Sequence, residues 1–310
     1  MTAESVEALE DVGLFDYQAP PPVSLADRFV VPPFSVLDAR AGLWQDRKRR
    51  WLSMGIESEV GRGDSLTYNA GDGDPVSAKI AAIGGTSIFD PVICELAYRW
   101  FTPPGARVLD PFAGGSVRGV AASVLARWYY GVELRPEQVE ANRAQAHLGS
   151  SITPVWVEGD ATRLGETFGP DDEFDLVFTC PPYADLEVYS HDERDLSNMP
   201  WPLFLERYRQ SIRDALGYLR RDRFAVWVIS DVRDKGGNYR GLVAETIRAF
   251  QDAGAHLHND AIYLEMIASG SLRAESPFVS NRRLTRKHQH VLVFVKGNPK
   301  KAAAYAKGES

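Results

Sequence analysis

The chain has 310 residues, 44% hydrophobic and 25% charged, with a formal net charge of −7 at pH 7. That length accommodates one large α/β domain with an extension, or two modest domains, and the acidic balance excludes polyanion binding by the molecule as a whole, leaving any nucleic-acid contact to local basic patches. Two cysteines, Cys94 and Cys180, are too few for a disulfide framework or a metal cage; with an acidic N-terminus, no apolar leader and no apolar run of membrane-spanning length, they predict a soluble cytoplasmic protein with no metal and no membrane partner.

Residues 1–24 are acidic and then proline-rich, which predicts a flexible lead-in. Arg28 to Leu37 reads as extended. Arg47-Lys48-Arg49-Arg50 lies between Trp44 and Trp51, and this stretch has two readings. Aromatics interleaved with positive charge can grip a nucleic-acid strand, with Arg49 and Arg50 as phosphate contacts; alternatively the run is a solvated helix face whose tryptophans dock on the main domain. Gly61, Gly63, Gly71 and Gly73, with Asp64, Asp72, Asp74 and Pro75, mark a linker. The expected organisation is an N-terminal extension over 1–77, a main domain over 78–298 and a flexible tail over 299–310.

In the main domain Asp90-Pro91 predicts a helix start, with Asp90 as N-cap and Pro91 at the first helical position. Val92, Ile93, Leu96, Ala97 and Trp100 continue at helical spacing. Strands are predicted at 107–110, 129–133, 154–158 and 175–179, and the first two are each followed by a helix, over 117–125 and from Pro136 to about 147. A helix over 202–219, a strand over 224–229, a helix over 241–253, and strands near 261–267 and 290–295 complete the pattern. Strands alternating with helices imply a parallel sheet with right-handed crossovers.

Two turns carry the chemistry. Asp110-Pro111-Phe112-Ala113-Gly114-Gly115-Ser116 leaves a strand for a helix, where small residues let a ligand approach backbone N–H groups. Glu133 ends the next strand, where an acid can accept both hydroxyls of a ribose, and Asp160 follows the third, where it can accept an amino group from a base. Each acid can equally be a helix cap or a solvated loop residue. Thr179-Cys180-Pro181-Pro182-Tyr183 ends the fourth strand in a stiff, donor-poor turn. Its outward carbonyls and aromatic ring suit a flat ring bearing an amino group.

This series resembles the S-adenosylmethionine-dependent DNA methyltransferases that modify exocyclic amino groups, adenine N6 or cytosine N4, over roughly residues 86–297. The turn at 108–116 is similar to the family's cofactor motif, and 179–183 to its Asp/Asn/Ser-Pro-Pro-Tyr catalytic turn. The resemblance implies a Rossmann-like, seven-stranded, mostly parallel α/β sheet with an antiparallel last strand. It implies S-adenosyl-L-methionine as cofactor, bound by Asp90, Asp110, Phe112, Gly114, Gly115, Ser116, Glu133 and Asp160. It also implies DNA as partner, with a flipped base positioned by Cys180, Pro181, Pro182 and Tyr183.

One departure stands out: the family's Asp, Asn or Ser is Cys180 here, and a thiol is a weaker acceptor. Serine is its nearest isostere, which inclines the reading to cytosine N4. Target recognition is expected from residues 184–201 or 269–290, the latter carrying Arg273, Arg282, Arg283, Arg286 and Lys287 as phosphate contacts. An RNA or other nucleobase methyltransferase on the same fold, or a catalytically weakened nucleic-acid-binding protein, are the alternatives.

Overall fold

A computed structural model describes residues 24–57, 89–150, 152–186, 188–266 and 270–309, the first four residues of the last segment in backbone only. The glycine-rich linker and the boundary expected near residue 78 lie outside the described residues. The chain divides into two units, Met1–Pro33 and Phe34–Ser310. In the first, helix α1 (Leu25–Phe29) starts in a capping box: Ser24 Oγ accepts from Asp27 N, and the Asp27 carboxylate accepts from Ser24 N, both at 3.1 Å.

The second unit is built on one eight-stranded sheet. Its order is β1 (Val36–Asp38), β7 (His256–Leu264), β8 (His288–Lys296), β6 (Leu219–Ile229), β5 (Phe174–Thr179), β2 (Arg107–Asp110), β3 (Trp128–Glu133) and β4 (Val155–Glu158). Only β8 runs against its neighbours, β6 and β7; the other pairs are parallel. The helices are α2 (Gly42–Leu52), α3 (Pro91–Phe101), α4 (Val117–Val124), α5 (Pro136–Ala144), α6 (Trp201–Tyr218), α7 (Leu242–Asp252), α8 (Gly270–Asn281) and α9 (Pro299–Ala306).

β5 is buried at all six positions, as an unbroken apolar run in a covered parallel sheet should be. Beside it Trp227 of β6 packs edge-on to Phe250 of α7, which stacks on Phe294 of β8 at 3.8 Å between ring centroids. The strand order reverses between β2 and β5, one connecting outward to β3 and β4 and the other to β6. That reversal opens a crevice at the carboxyl ends of these two strands.

Two expectations are corrected. The sheet has eight strands rather than seven, because Val36–Asp38 pairs with Ile262–Leu264 and covers an edge that β7 would otherwise leave open. The tail expected to be flexible contains α9: Pro299 occupies its first turn, Ala302 is fully buried, and the Tyr305 ring lies 3.3 Å from the Arg223 guanidinium carbon. Residues 270–281 form α8 although Pro277 lies inside it and their apolar periodicity is weak.

The tryptophan-flanked basic run resolves by helical spacing. Residues 44, 47, 48 and 51 share one face of α2, and that face is docked. Trp44 and Trp51, 1% and 7% exposed, donate their indole N–H groups to Asp90 and Glu95 of the α3 region at 3.2 and 2.9 Å. Arg47 makes a bidentate pair with Glu95, at 2.7 and 2.6 Å, and Lys48 reaches Asp90 at 3.0 Å. Neither tryptophan is open to stack on a base.

Burial alone would raise the Glu95 pKa, but Arg47, Trp51 and Arg99 outweigh it and leave the carboxyl below its ordinary 4.5. A depressed carboxylate pKa contributes stability that is present above the unfolded value and lost as pH falls through the folded one. Urea midpoints should therefore drop as pH falls below 4.5, and Glu95→Gln should be less stable at neutral pH with a flatter profile in that window. Parallel profiles for the two proteins would show that this pairing does not hold α2.

Candidate active site

All the turns singled out in the sequence lie at the carboxyl edge of the parallel strands. β2 ends at Asp110, β3 at Glu133, β4 at Glu158 just before Asp160, and β5 at Thr179 just before Cys180. Because β8 is antiparallel, its first residues reach the same edge, with His288 paired to Leu264 at the end of β7.

Asp110 is fully buried and accepts four hydrogen bonds from protein. Oδ1 takes Thr179 Oγ1 at 2.6 Å and Phe112 N at 3.2 Å; Oδ2 takes Arg118 Nε at 2.5 Å and Tyr129 OH at 2.7 Å. The Arg118 guanidinium also donates to the carbonyls of Phe112 and Ala113 and lies over the Phe89 ring. Burial disfavours the Arg118 charge, yet Asp110 outweighs it and raises the pKa. The protein donors to Asp110 thus come from its own turn, α4, β3 and β5.

Two further cofactor candidates are engaged elsewhere. Asp90 is 5% exposed and accepts from Val92 N, Trp44, Lys48 and the Tyr263 hydroxyl. Ser116 is buried and donates to Gln145 Oε1 at 3.0 Å. Phe112 is half-buried, edge-on to Trp227 with ring centroids 6.2 Å apart.

Gly114, Gly115, Glu133 and Asp160 remain partly open at the edge. Gly114 has φ +51°, the left-handed region that favours glycine. Its N–H donates to Glu133 Oε2 at 2.9 Å, and its carbonyl accepts from Asn142 Nδ2 at 2.7 Å. The turn lies against β3 through Ala113 N–H to the Val132 carbonyl, 2.8 Å. Only glycine at 131 permits that approach, because a Cβ there would meet the Ala113 methyl at 2.9 Å. Burial raises the Glu133 pKa despite Arg135 and two backbone donors beside it. Asp160 Oδ1 takes the backbone and hydroxyl donors of Thr162, both at 2.8 Å, and Oδ2 has no protein donor among the described residues.

In the Cys180–Tyr183 turn the tyrosine hydroxyl lies 3.2 Å from Cys180 Sγ and donates to Gln289 Oε1 at 2.9 Å. Gln289 Nε2 in turn donates to Glu265 Oε1 at 2.5 Å, which fixes the amide orientation. A phenol has one proton. With that proton on Gln289, the contact to Cys180 runs from thiol to hydroxyl oxygen. Burial, first, and Cys180, second, push the Tyr183 pKa well above 10, so the hydroxyl stays protonated. Gln289 and Glu265 were not among the expected site residues; their only sequence signal is a place within or beside the predicted closing strands.

The basic candidates separate. Arg49 pairs with Asp46, and Arg50 is exposed on the outer face of α2. Arg282 is exposed, with its guanidinium carbon 5.4 Å from the Phe278 ring centroid; Arg286 and Lys287 are half-buried and lead into β8. Arg283 N–H donates to the Pro277 carbonyl and Asn281 Oδ1. The Arg273 side chain lies outside the described residues.

No protein-family profile matches the chain. It is 27% identical over 147 residues to the tRNA (guanine(10)-N2)-dimethyltransferase of Pyrococcus abyssi (strain GE5 / Orsay), covering 47% of this chain and 42% of that protein. The chain thus spans under half the length of that relative. Among solved structures it is similar to TrmN from Thermus thermophilus, with TM-score 0.45 and 17% identity, covering 67% of this chain and 49% of that one. It is also similar to magnesium protoporphyrin IX methyltransferase (ChlM) from Synechocystis PCC 6803 with bound SAH, with TM-score 0.45 and 14% identity, covering 84% and 96%. The fold assignment rests on the strand order itself.

Arg118→Ala would leave the Asp110 charge buried without its partner, a change that typically costs about 3–5 kcal/mol. Urea denaturation should read a loss of that order. A loss below about 1 kcal/mol, the range of exposed pairs, would mean that water reaches Asp110.

Proposed function

We propose that the chain is an S-adenosylmethionine-dependent methyltransferase acting on an exocyclic amino group of a nucleic-acid base, with DNA as substrate and cytosine N4 as target. The observation that carries this reading is the 2.6 Å hydrogen bond from Thr179 to Asp110. It ties the glycine turn to the Cys180–Tyr183 turn at the strand-order reversal, so the two are held as one site.

The residues present fit the cofactor. Among the described residues Glu133 Oε2 accepts only the Gly114 N–H, leaving capacity for a ribose hydroxyl, and Asp160 Oδ2 has no donor, leaving capacity for an adenine amino group. Gly114 and Gly115 expose backbone where a Cβ would crowd a ligand. When bound, the cofactor supplies an electrophilic methyl group on a sulfonium sulfur. The chain's own part is placement. Cys180 Sγ and the Pro181 carbonyl accept from the target amino group and turn its nitrogen lone pair towards the methyl, while the half-buried Tyr183 ring supports the base face. The Gln289–Glu265 chain holds the Tyr183 hydroxyl and, through it, the thiol proton.

A tRNA substrate is the second reading, favoured by the Pyrococcus abyssi relative, whose name assigns it a guanine N2 in tRNA. Guanine N2 is also an exocyclic amino nitrogen, so the same turn chemistry applies.

Incubation with labelled S-adenosylmethionine and either duplex DNA or tRNA, then digestion to nucleosides and mass identification, should give a base methylated on its amino nitrogen. Methyl on carbon, oxygen or protein would overturn the reading. Tyr183→Ala removes base stacking of about 1–3 kcal/mol, or roughly 5- to 150-fold in kcat/KM, with affinity for S-adenosylhomocysteine unchanged by calorimetry. Near-normal turnover would make the turn structural only.

Glu133 supplies a pH signature. The ionised acid accepts the ribose hydroxyls, and its raised pKa brings protonation in at a pH above 4.5. Affinity for S-adenosylhomocysteine should fall on acidification with an inflection above that value, and Glu133→Gln should be weaker at neutral pH and lack the inflection. An identical profile in the variant would remove Glu133 from the cofactor site.

A further inference from the structure

Next to the Cys180–Tyr183 turn, at the same sheet edge, the loop from β6 to α7 meets the segment entering β8. The loop is held at its base. Asp231 Oδ1 accepts from Val232 N, Gly241 N and Leu242 N at 2.9–3.0 Å, and Arg240 N donates to the Val232 carbonyl at 2.9 Å. Within it Asp234 N donates to the Asn238 carbonyl, while Gly237 N donates to that of Asp234. Arg233 Nη1 donates to the Gly237 carbonyl at 2.6 Å, which fixes the guanidinium with its carbon 3.7 Å from the Tyr239 ring centroid.

The Arg286 guanidinium lies over the same ring, at 4.8 Å, and its Nη1 is 3.2 Å from His288 Nε2. Burial, and secondly Arg286, lower the His288 pKa, so the imidazole is neutral and accepts from the arginine. Arg286 Nε is buried and has no hydrogen-bond partner among the described residues. Arg283 lies against Gly237. Other arginines of the chain, such as Arg47, Arg118, Arg220 and Arg240, are paired with carboxylates. Arg233, Arg283 and Arg286 have none within 4.0 Å among the described residues. The acids of the loop are otherwise engaged, Asp231 at the α7 start and Asp234 with Asn238 N. Like charges held around one ring repel, and an anion between them relieves the repulsion.

We propose that Arg233 and Arg286, organised on Tyr239, form a binding site for a backbone phosphate beside the target nucleotide. The proposal rests on the nucleic-acid reading above and adds to it the β6–α7 loop, which the basic run at 282–287 does not include. Tyr239, 44% exposed, sets the two guanidiniums at a fixed spacing, and planar guanidiniums suit phosphate oxygens. β8 couples the site to the chemistry, because Gln289, next to His288, holds the Tyr183 hydroxyl.

The test uses the full chain with S-adenosylhomocysteine and a fluorescein-labelled duplex oligodeoxynucleotide or tRNA transcript, whichever polymer the wild type methylates. Anisotropy gives affinity against salt. The double variant Arg233→Ala/Arg286→Ala should weaken binding at every sequence and make the log–log salt slope shallower by roughly one unit per lost contact, with cofactor affinity unchanged. Tyr239→Leu should weaken binding while keeping the slope, since no charge is lost. If the double variant does not fold, Arg233→Gln alone should show half the slope change. A wild-type slope in a folded variant that binds cofactor overturns this site and leaves the methyltransferase reading standing. A wild type that binds and methylates neither polymer overturns both.

Discussion

The site depends on one buried carboxylate. Asp110 has no exposed surface, and its four donors come from the backbone of its own turn, α4, β3 and β5. An ion in that position is tolerable only with a counter-ion and filled acceptor sites. Arg118 provides the charge, while Tyr129 and Thr179 fill the remaining geometry. The consequence is mechanical. The glycine turn and the Pro-Pro-Tyr turn are separate in sequence, yet they share one hydrogen-bond acceptor and hold a common register.

Cys180 is compatible with the same logic. A thiol beside a phenol can share its proton in either direction, and the neighbour of the phenol decides which. Glu265 orients the Gln289 amide, Gln289 takes the Tyr183 proton, and the thiol then donates to Tyr183. The hydrogen bonding of the Cys180–Tyr183 turn is thus set by Glu265 and Gln289, well away in sequence from the turn itself.

Charge follows a similar division at the start of α3. Asp90 and Glu95 fasten α2, receiving both indole N–H groups as well as Arg47 and Lys48. A run that reads as a polyanion grip is largely consumed by these two acids, leaving Arg49 and Arg50 outside. The arginines without carboxylate partners near the chemistry lie instead around Tyr239, where two guanidiniums share a ring. In a chain of net charge −7, these guanidiniums are local exceptions to the acidic balance.

Local pattern alone determined the alternation of strands and helices, the helix start at Asp90-Pro91 and the turns that end β2 and β5. Apolar runs, helical periodicity and Gly/Pro placement act over a few residues, and β2 and β5 accordingly form where they were expected. Tertiary structure decided which acids are available. Asp110 is filled by Arg118 eight positions away and Thr179 sixty-nine away, and Asp90 by Tyr263 at a separation of 173. Glu133 and Asp160 read the same in sequence but keep acceptor capacity, because fewer side chains reach them. The eighth strand, α8 across Pro277, and the meeting of Arg233, Tyr239 and Arg286 are likewise matters of long-range pairing. A strand-end acid looks identical in sequence whether it faces a ligand or a buried arginine, since what separates the two is the set of donors that folding brings within hydrogen-bond distance.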